Sequence, residues 1–149
     1  MYFFMKHKYY IQYHNADKLG YYPTLGVNFK TIIDSIVLDN TIQYDSRIYT
    51  AKKQIEKAVG AYCFLIVGKS DKTQKSYYLW SFFQIDDFNK DKFDFYNVNG
   101  TGYNFTKPIC LNKSKYFDDF KKFCGNFGLG FQNIDNHNFC QTLVELSSI

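Results

Sequence analysis

A histidine and an asparagine, His14 and Asn15, stand where a run of alternating bulky and polar residues gives way to turn-forming ones. Imidazole titrates near neutrality, so His14 can act as a general base or as a hydrogen-bonding group for a ligand. Asn15 carries an amide able to read a base edge or to cap the next turn of the chain. Two kinds of chemistry open from this pair. In one, His14 joins Lys18 and His137 as the base, phosphate-binding group and acid of a metal-free ribonuclease, which requires a fold that gathers all three. In the other, Tyr13, Tyr21, Tyr22, Trp80 and Phe82 wall a pocket for a planar ligand, with His14, Asn15 and Asn126 offering donors and acceptors to its edge. Each residue also has a plainer role open to it: the rings as core, Asn15 as a turn cap and His137 as a loop residue.

The chain has no motif of a common catalytic or cofactor site. Gly100 and Gly102 form a G-x-G without the third glycine or the strand-turn-helix setting of a dinucleotide fingerprint, and they read as a turn. There is no phosphate-binding loop, nucleophile elbow or His-Glu-x-x-His, so no cofactor is implied. Cys63, Cys110, Cys124 and Cys140 are widely spaced, with no Cys-x-x-Cys and no histidine at zinc-ligand spacing, and read as buried thiols rather than metal ligands.

The formal charge is +4, carried almost entirely by lysine, with Arg47 the single arginine. Residues 1–60 hold 8 basic and 5 acidic groups against 10 and 9 in residues 61–149, so the excess lies toward the N-terminus. Lys6, Lys8, Lys18, Lys52 and Lys53 are the candidates for phosphate contacts of a bound DNA or RNA. Aromatic residues reach 21% of the chain. A stacking surface would use them, but so would a chain whose composition, rich in Lys, Asn, Ile, Phe and Tyr, reflects AT-rich coding. The N-terminal apolar run meets Lys6 too soon for a signal-peptide core, and no stretch of about 18 apolar residues exists, so a cytoplasmic protein without membrane spans is expected.

These side chains need a scaffold, and 149 residues suit one domain over 1–149 with a single substantial core. Residues 8–14 alternate as a first strand. The loop after it runs to residue 28, and Pro23 holds Tyr22 extended so that Tyr21 and Tyr22 are displayed. Residues 29–38 carry Ile32, Ile33, Ile36 and Val37 at helical spacing and lean to a helix, against a β-branched content that argues for a strand. Thr50 caps a short helix to Lys57, with Ile55, Ala58 and Val59 inward and Gly60 as its stop. The apolar run 61–67 is a central strand, 69–75 a charged turn and 76–85 a second strand on which Trp80 and Phe82 share one side by the period of two. Residues 86–94 read as a loop, 95–98 and 108–111 as short strands around the Gly100–Gly102 turn. Residues 114–123 form a helix burying Phe117, Phe120 and Phe123, 128–134 a strand and 139–146 a last helix.

Three stretches, YYIQYHN at 9–15, the helix at 55–60 running into AYCFLIVG at 61–68, and YYLWSFF at 77–83, occur in an order that resembles the PUA-like superfamily, in particular its EVE, ASCH and YTH group. The resemblance spans most of the chain and is one of pattern. It implies an α+β fold, a small mixed β-barrel with flanking helices, and a non-enzymatic reader that encloses a flipped or modified base from DNA or RNA in an aromatic pocket beside a basic surface, in bacterial defence or RNA metabolism. Such readers usually line the cage with tryptophans, and this chain has one. A protein-interaction module presenting the tyrosines of loop 20–24 is the remaining alternative.

Overall fold

A computed structural model describes residues 7–23, 33–38 and 48–148. Six strands form one mixed sheet: β1 (Tyr9–Asn15), β2 (Ile48–Thr50), β3 (Tyr62–Ser70), β4 (Lys75–Lys90), β5 (Tyr96–Cys110) and β6 (Phe131–Asn133), ordered β2-β5-β4-β3-β1-β6. Three short helices accompany it, α1 (Ala16–Leu19), α2 (Phe117–Phe123) and α3 (Phe139–Ser147), so the chain is α+β and the sheet curls into a half-barrel. Only β1 and β3 run parallel; the other pairs are antiparallel.

The curl gives the sheet an inside and an outside. Ile48 on one edge strand and Phe131 on the other belong to the same buried cluster, with Tyr10, Leu65, Trp80, Phe83 and Val98 between them, which makes this face the interior. Across the open side, Gln54 of the 3-10 turn Lys53–Lys57 donates from Nε2 to the Phe131 carbonyl at 2.9 Å, a side-chain bridge between the edges. The outer face presents Ile11, Phe64, Ile66 and Leu79, covered by Phe117 and Phe120 of α2 and Phe139 and Leu143 of α3.

The strands are longer than their patterns suggest because both hairpin turns are tight and are closed by aspartates. Asp71 Oδ1 accepts from the amides of Thr73 and Gln74 at 2.7 and 2.9 Å, so Lys69, Ser70 and Lys75 join the ladder instead of looping. Asp91 Oδ1 accepts from Phe93 and Phe95 amides at 2.8 and 3.0 Å, which extends β4 through most of the expected loop 86–94. Residues 96–110 are one strand rather than two short strands around a turn, and Gly100 and Gly102 lie inside it. A Cβ at Gly102 would press on the Phe82 carbonyl and stand 2.5 Å from Phe83 Cα; one at Gly100 would stand 2.5 Å from the Phe83 ring. The glycines are there because β4 and β5 approach closely, not because the chain reverses.

A bulge changes which side chains meet. Leu65 pairs with Ser81 and Ile66 with Leu79, leaving Trp80 as an extra residue on β4. Against β5 the mismatch is larger, since Ser81 pairs with Asn104 and Leu79 with Ile109, so residues 105–108, including Pro108, stand opposite Trp80 alone. Alternation slips by one there. Trp80 turns inward and Phe82 outward, correcting the expectation of a shared face.

Elsewhere the differences are local. Residues 53–57 form a 3-10 turn, not an α-helix, with Ile55 and Ala58 buried as expected and Val59 exposed. In the 29–38 segment the described part holds a single 3-10 turn, Ile33–Ser35, while residues 29–32 lie outside the described residues. Phe117 and Phe120 are buried, but Phe123 is largely exposed. Cys63, Cys124 and Cys140 are buried, as expected, whereas Cys110 is exposed.

The close strand approach is testable. Gly102→Ala should destabilise by about 2–3 kcal/mol, because the Phe82 carbonyl and the Cα and Cβ of Phe83 lie in the way of the new methyl. Gly20→Ala should cost only about 1–2 kcal/mol, through its left-handed backbone alone (φ +86°, nothing within 4 Å). Urea midpoints of the two variants decide the matter, and a smaller loss at 102 than at 20 would contradict the crowding argument.

Candidate functional site

β1 stops at Asn15 because its side chain takes over from the ladder. Asn15 Oδ1 accepts from the Lys18 amide at 3.2 Å and starts the single turn of α1, and Gly20, in the left-handed region, closes it by donating to the Ala16 carbonyl at 2.9 Å. Asp17 fastens the turn to β3, accepting from Lys69 Nζ at 3.0 Å and from the Ser70 amide at 2.9 Å. The chain thus folds back over the end of β1, and the Tyr21 carbonyl comes within 2.6 Å of His14 Nε2.

Beneath this fold-back lies a pocket of about 240 Å³ in the mouth of the half-barrel. Gln12, His14 and Leu65 line it from the sheet, Leu19, Tyr21 and Pro23 from the fold-back, and Ile48 and Tyr49 from the opposite edge strand. Gln12 and His14 sit two apart on β1 and share the inner side with Tyr10, as strand alternation requires. Gln12 Nε2 donates to the Tyr13 carbonyl at 3.0 Å, which fixes the amide and leaves Oε1 as its other end; that oxygen is buried with no hydrogen-bond partner. A carbonyl can only accept, so His14 must carry its proton on Nε2 to bond Tyr21. Burial holds the imidazole pKa below its ordinary value, against an opposing pull from the Tyr21 bond. The ring is therefore neutral near pH 7, and Nδ1 is a lone-pair acceptor. Tyr49 is braced by a hydroxyl bond to Asp91 and by stacking on Phe95 at 4.9 Å.

Of the residues expected to form a cage, the pocket collects His14, Tyr21 and, at its border, Tyr13. The Tyr13 ring itself lies on the outer side, stacked on Phe127 at 4.8 Å and packed over Gly68, where a Cβ would strike its hydroxyl. That hydroxyl is buried without a partner, and burial raises its pKa. Asn15 is a helix cap. Tyr21 is 56% exposed while Tyr22 is 5% exposed and stacks on Trp80 at 5.4 Å, so the two tyrosines are not displayed together. Trp80 is fully buried. Phe82 belongs to an outer-face stack with Phe64 at 4.9 Å and Tyr62 at 5.4 Å. Asn126 is exposed in a left-handed turn beside Gly125 and Phe127 (φ 55°) and does not line the pocket.

The lysines do not converge either. Lys8 precedes and Lys18 follows β1, a strand roughly 20 Å long. Lys52 and Lys53 lead into the 3-10 turn that reaches β6, and Lys6 lies outside the described residues. Lys18, next to Leu19 of the rim, is the one nearest the pocket in the chain. The proposed nuclease set is likewise not assembled. His137 is packed on the outer side between Phe120 and Phe123, donating from Nε2 to Asp119 at 2.9 Å and accepting the Phe139 amide on Nδ1 at 3.0 Å, whereas His14 faces inward.

A larger cavity, about 440 Å³, lies between His7, Tyr9 and the start of α3. Three of its polar side chains are engaged: Asp135 with the Tyr9 amide at 2.7 Å, His137 as above, and Gln141 with Glu145 at 3.3 Å. The smaller pocket is the better candidate because it gathers His14 and Tyr21, two of the residues singled out from the sequence. Sequence reasoning missed Gln12, Leu65, Ile48 and Tyr49; Gln12, a polar residue in phase with His14 on a strand that packs inward, is the one with a readable signal. Among the described residues no three His, Cys, Asp or Glu side chains group as a metal site, and no helix is long and apolar enough to cross a membrane. No family model matches the chain, and no match was found among curated proteins or solved structures.

The lowered His14 pKa has a definite pH signature. The unfolded chain takes the proton more readily, so the stability that His14 contributes as a neutral group is complete above about pH 6.5 and is lost as the pH falls below it. In His14→Gln, which can still donate to Tyr21, the urea midpoint should fall less between about pH 7.5 and about pH 5 than in the unaltered protein. Parallel declines would place the titration elsewhere.

Proposed function

We propose that this protein is a non-enzymatic binding module that takes one planar, base-sized group, a flipped base of DNA or RNA, into the mouth of its half-barrel. The observation that carries the reading is the pocket itself, lined by the polar residues Gln12 and His14 and by the aromatic residues Tyr21 and Tyr49. Size narrows the ligand class: about 240 Å³ is below the usual range of roughly 300–1,000 Å³ for small-molecule sites, and it suits a single heterocycle. Extruding a base costs a few kcal/mol, an amount that stacking at roughly 1–3 kcal/mol per contact can offset.

The resemblance to PUA-like barrels supports the same reading, with the Gln54 bridge between the edges standing where a closed barrel would pair its strands. It is a smaller interface than the sequence suggests. With Lys18 as the basic residue beside the rim, binding should lean little on phosphate contacts, and the logarithm of affinity should fall with the logarithm of salt at a slope of about one or less.

Titration with short single-stranded oligonucleotides carrying plain or modified bases tests the proposal. We expect base-dependent binding that Tyr49→Ala weakens by about 10-fold, through loss of one stacking contact. Indifference to every oligonucleotide at low salt would remove the nucleic-acid reading, leaving the exposed Leu19 and Tyr21 as anchors for a protein partner.

A further inference from the structure

Among the described residues every lysine is exposed except Lys69, Lys75 and Lys121, which are half-buried. A charge drawn partly out of water calls for a partner. Lys69 has one, Asp17 at 3.0 Å. Lys75 and Lys121 have no ion pair and no side-chain hydrogen bond among the described residues, yet two different elements bring them to the same ring. Lys75 leaves β4 two positions before Tyr77 and on the same, outer side, and its Nζ stands 5.9 Å from the centre of the Tyr77 ring and 5.8 Å from that of Tyr13. Lys121, in the last turn of α2, sets its Nζ 5.2 Å from the centre of the Tyr77 ring. That ring is itself fixed, packed against Phe117 at 5.4 Å and Phe127 at 5.3 Å.

Tyr77 accounts for how the two ammonium groups are held, but not for how their charge is met. A ring attracts a cation through its quadrupole and carries no net charge, so two cations gathered on one ring still repel each other. Two acidic side chains of the neighbouring elements are taken: Asp17 by Lys69 and the Ser70 amide, and Asp119 by His137. We infer that Lys75 and Lys121 form an anion site on the outer face of the sheet, and that the ligand is a phosphate group. Two compact charges on flexible stems suit a tetrahedral dianion, whose oxygens point several ways, whereas a flat carboxylate favours the planar fork of an arginine. The pair lies on the other side of the sheet from Gln12 and His14 and draws nothing from the base-binding reading.

Inorganic phosphate is the first probe, titrated into the full chain at an ionic strength held constant with sodium chloride and followed by backbone amide shifts. Saturable shifts are expected at Lys75, Tyr77 and Lys121, with none when sodium chloride alone is raised. Lys75→Gln and Lys121→Gln should each weaken phosphate binding by about 10-fold, the loss of one charge-assisted contact. Lys72→Gln, at an exposed position in the adjoining turn, should change it by no more than about 2-fold. Thermal unfolding checks each variant, and Met, which keeps the stem against the ring, replaces Gln where the fold is lost. Glycerol phosphate is titrated alongside: tighter binding than inorganic phosphate makes a phosphorylated small molecule the ligand, and weaker binding makes it free phosphate. Shifts that sodium chloride reproduces, or phosphate binding that survives both lysine substitutions unchanged, would overturn the inference and leave the proposed function untouched.

Discussion

The bulge at Trp80 shifts the registry of β4 against both neighbouring strands, and the central part of the inner face depends on that mismatch. With a regular β4, the side-chain phase that puts Tyr78 inside would put Phe83 and Ile85 outside. The extra residue resets the phase, so Tyr78, Trp80, Phe83 and Ile85 all reach one cluster and Tyr77, Leu79 and Phe82 reach the other. It also lets residues 105–108 of β5 swing away from the ladder, where the Thr106 carbonyl accepts from the Leu38 amide at 2.6 Å. A proline at 108 is tolerable in such a segment, having no ladder hydrogen bond to donate. The indole then supports the pocket indirectly. Tyr22 stacks on it from the fold-back after β1, which anchors the segment whose next residue upstream, Tyr21, rims the pocket and bonds His14.

The aromatic surplus is consumed mainly by the core. Tyr10 lies parallel to Phe131 at 4.9 Å, Phe120 to Phe139 at 4.7 Å and Tyr13 to Phe127 at 4.8 Å, and Phe82 is held among Tyr62, Phe64 and Tyr103. A ring stacked within the protein has at most one face left for a base, and a buried one has none. A high aromatic content therefore says little about ligand binding until the stacking partners are known, and here the pocket keeps only Tyr21 and Tyr49 with substantial exposed ring surface.

What distinguishes the candidate site is its hydrogen-bond accounting rather than its shape. The fold-back after β1 satisfies its own polar groups: Asn15 caps, Asp17 holds β3, and Gly20 closes the turn. Gln12 and His14 are left with one acceptor each because the groups nearest them, the Tyr13 and Tyr21 carbonyls, could only take hydrogens. In the wider cavity beside α3, by contrast, the aspartate and the histidine are engaged on their functional atoms.

Local pattern was enough to locate β1, the buried β3, the hairpin to β4, β6 and the two later helices, because apolar periodicity and turn residues such as Asn15, Gly60 and Gly125 act within a few positions of where they stand. It also placed His14 at a strand end, with Asn15 positioned to cap the turn beyond it. It could not show that residues 86–90 continue β4, that Gly100 and Gly102 clear a path for a neighbouring strand, or that Trp80 and Phe82 part company. Those outcomes depend on how far one strand slides against another, and registry is a sum over pairings along the whole ladder. The pocket depends on the same sum. Ile48 and Tyr49 line the same pocket as Gln12 and His14 only because the bulged sheet curls until its two edges confront each other, a closure that no run of residues read in order contains.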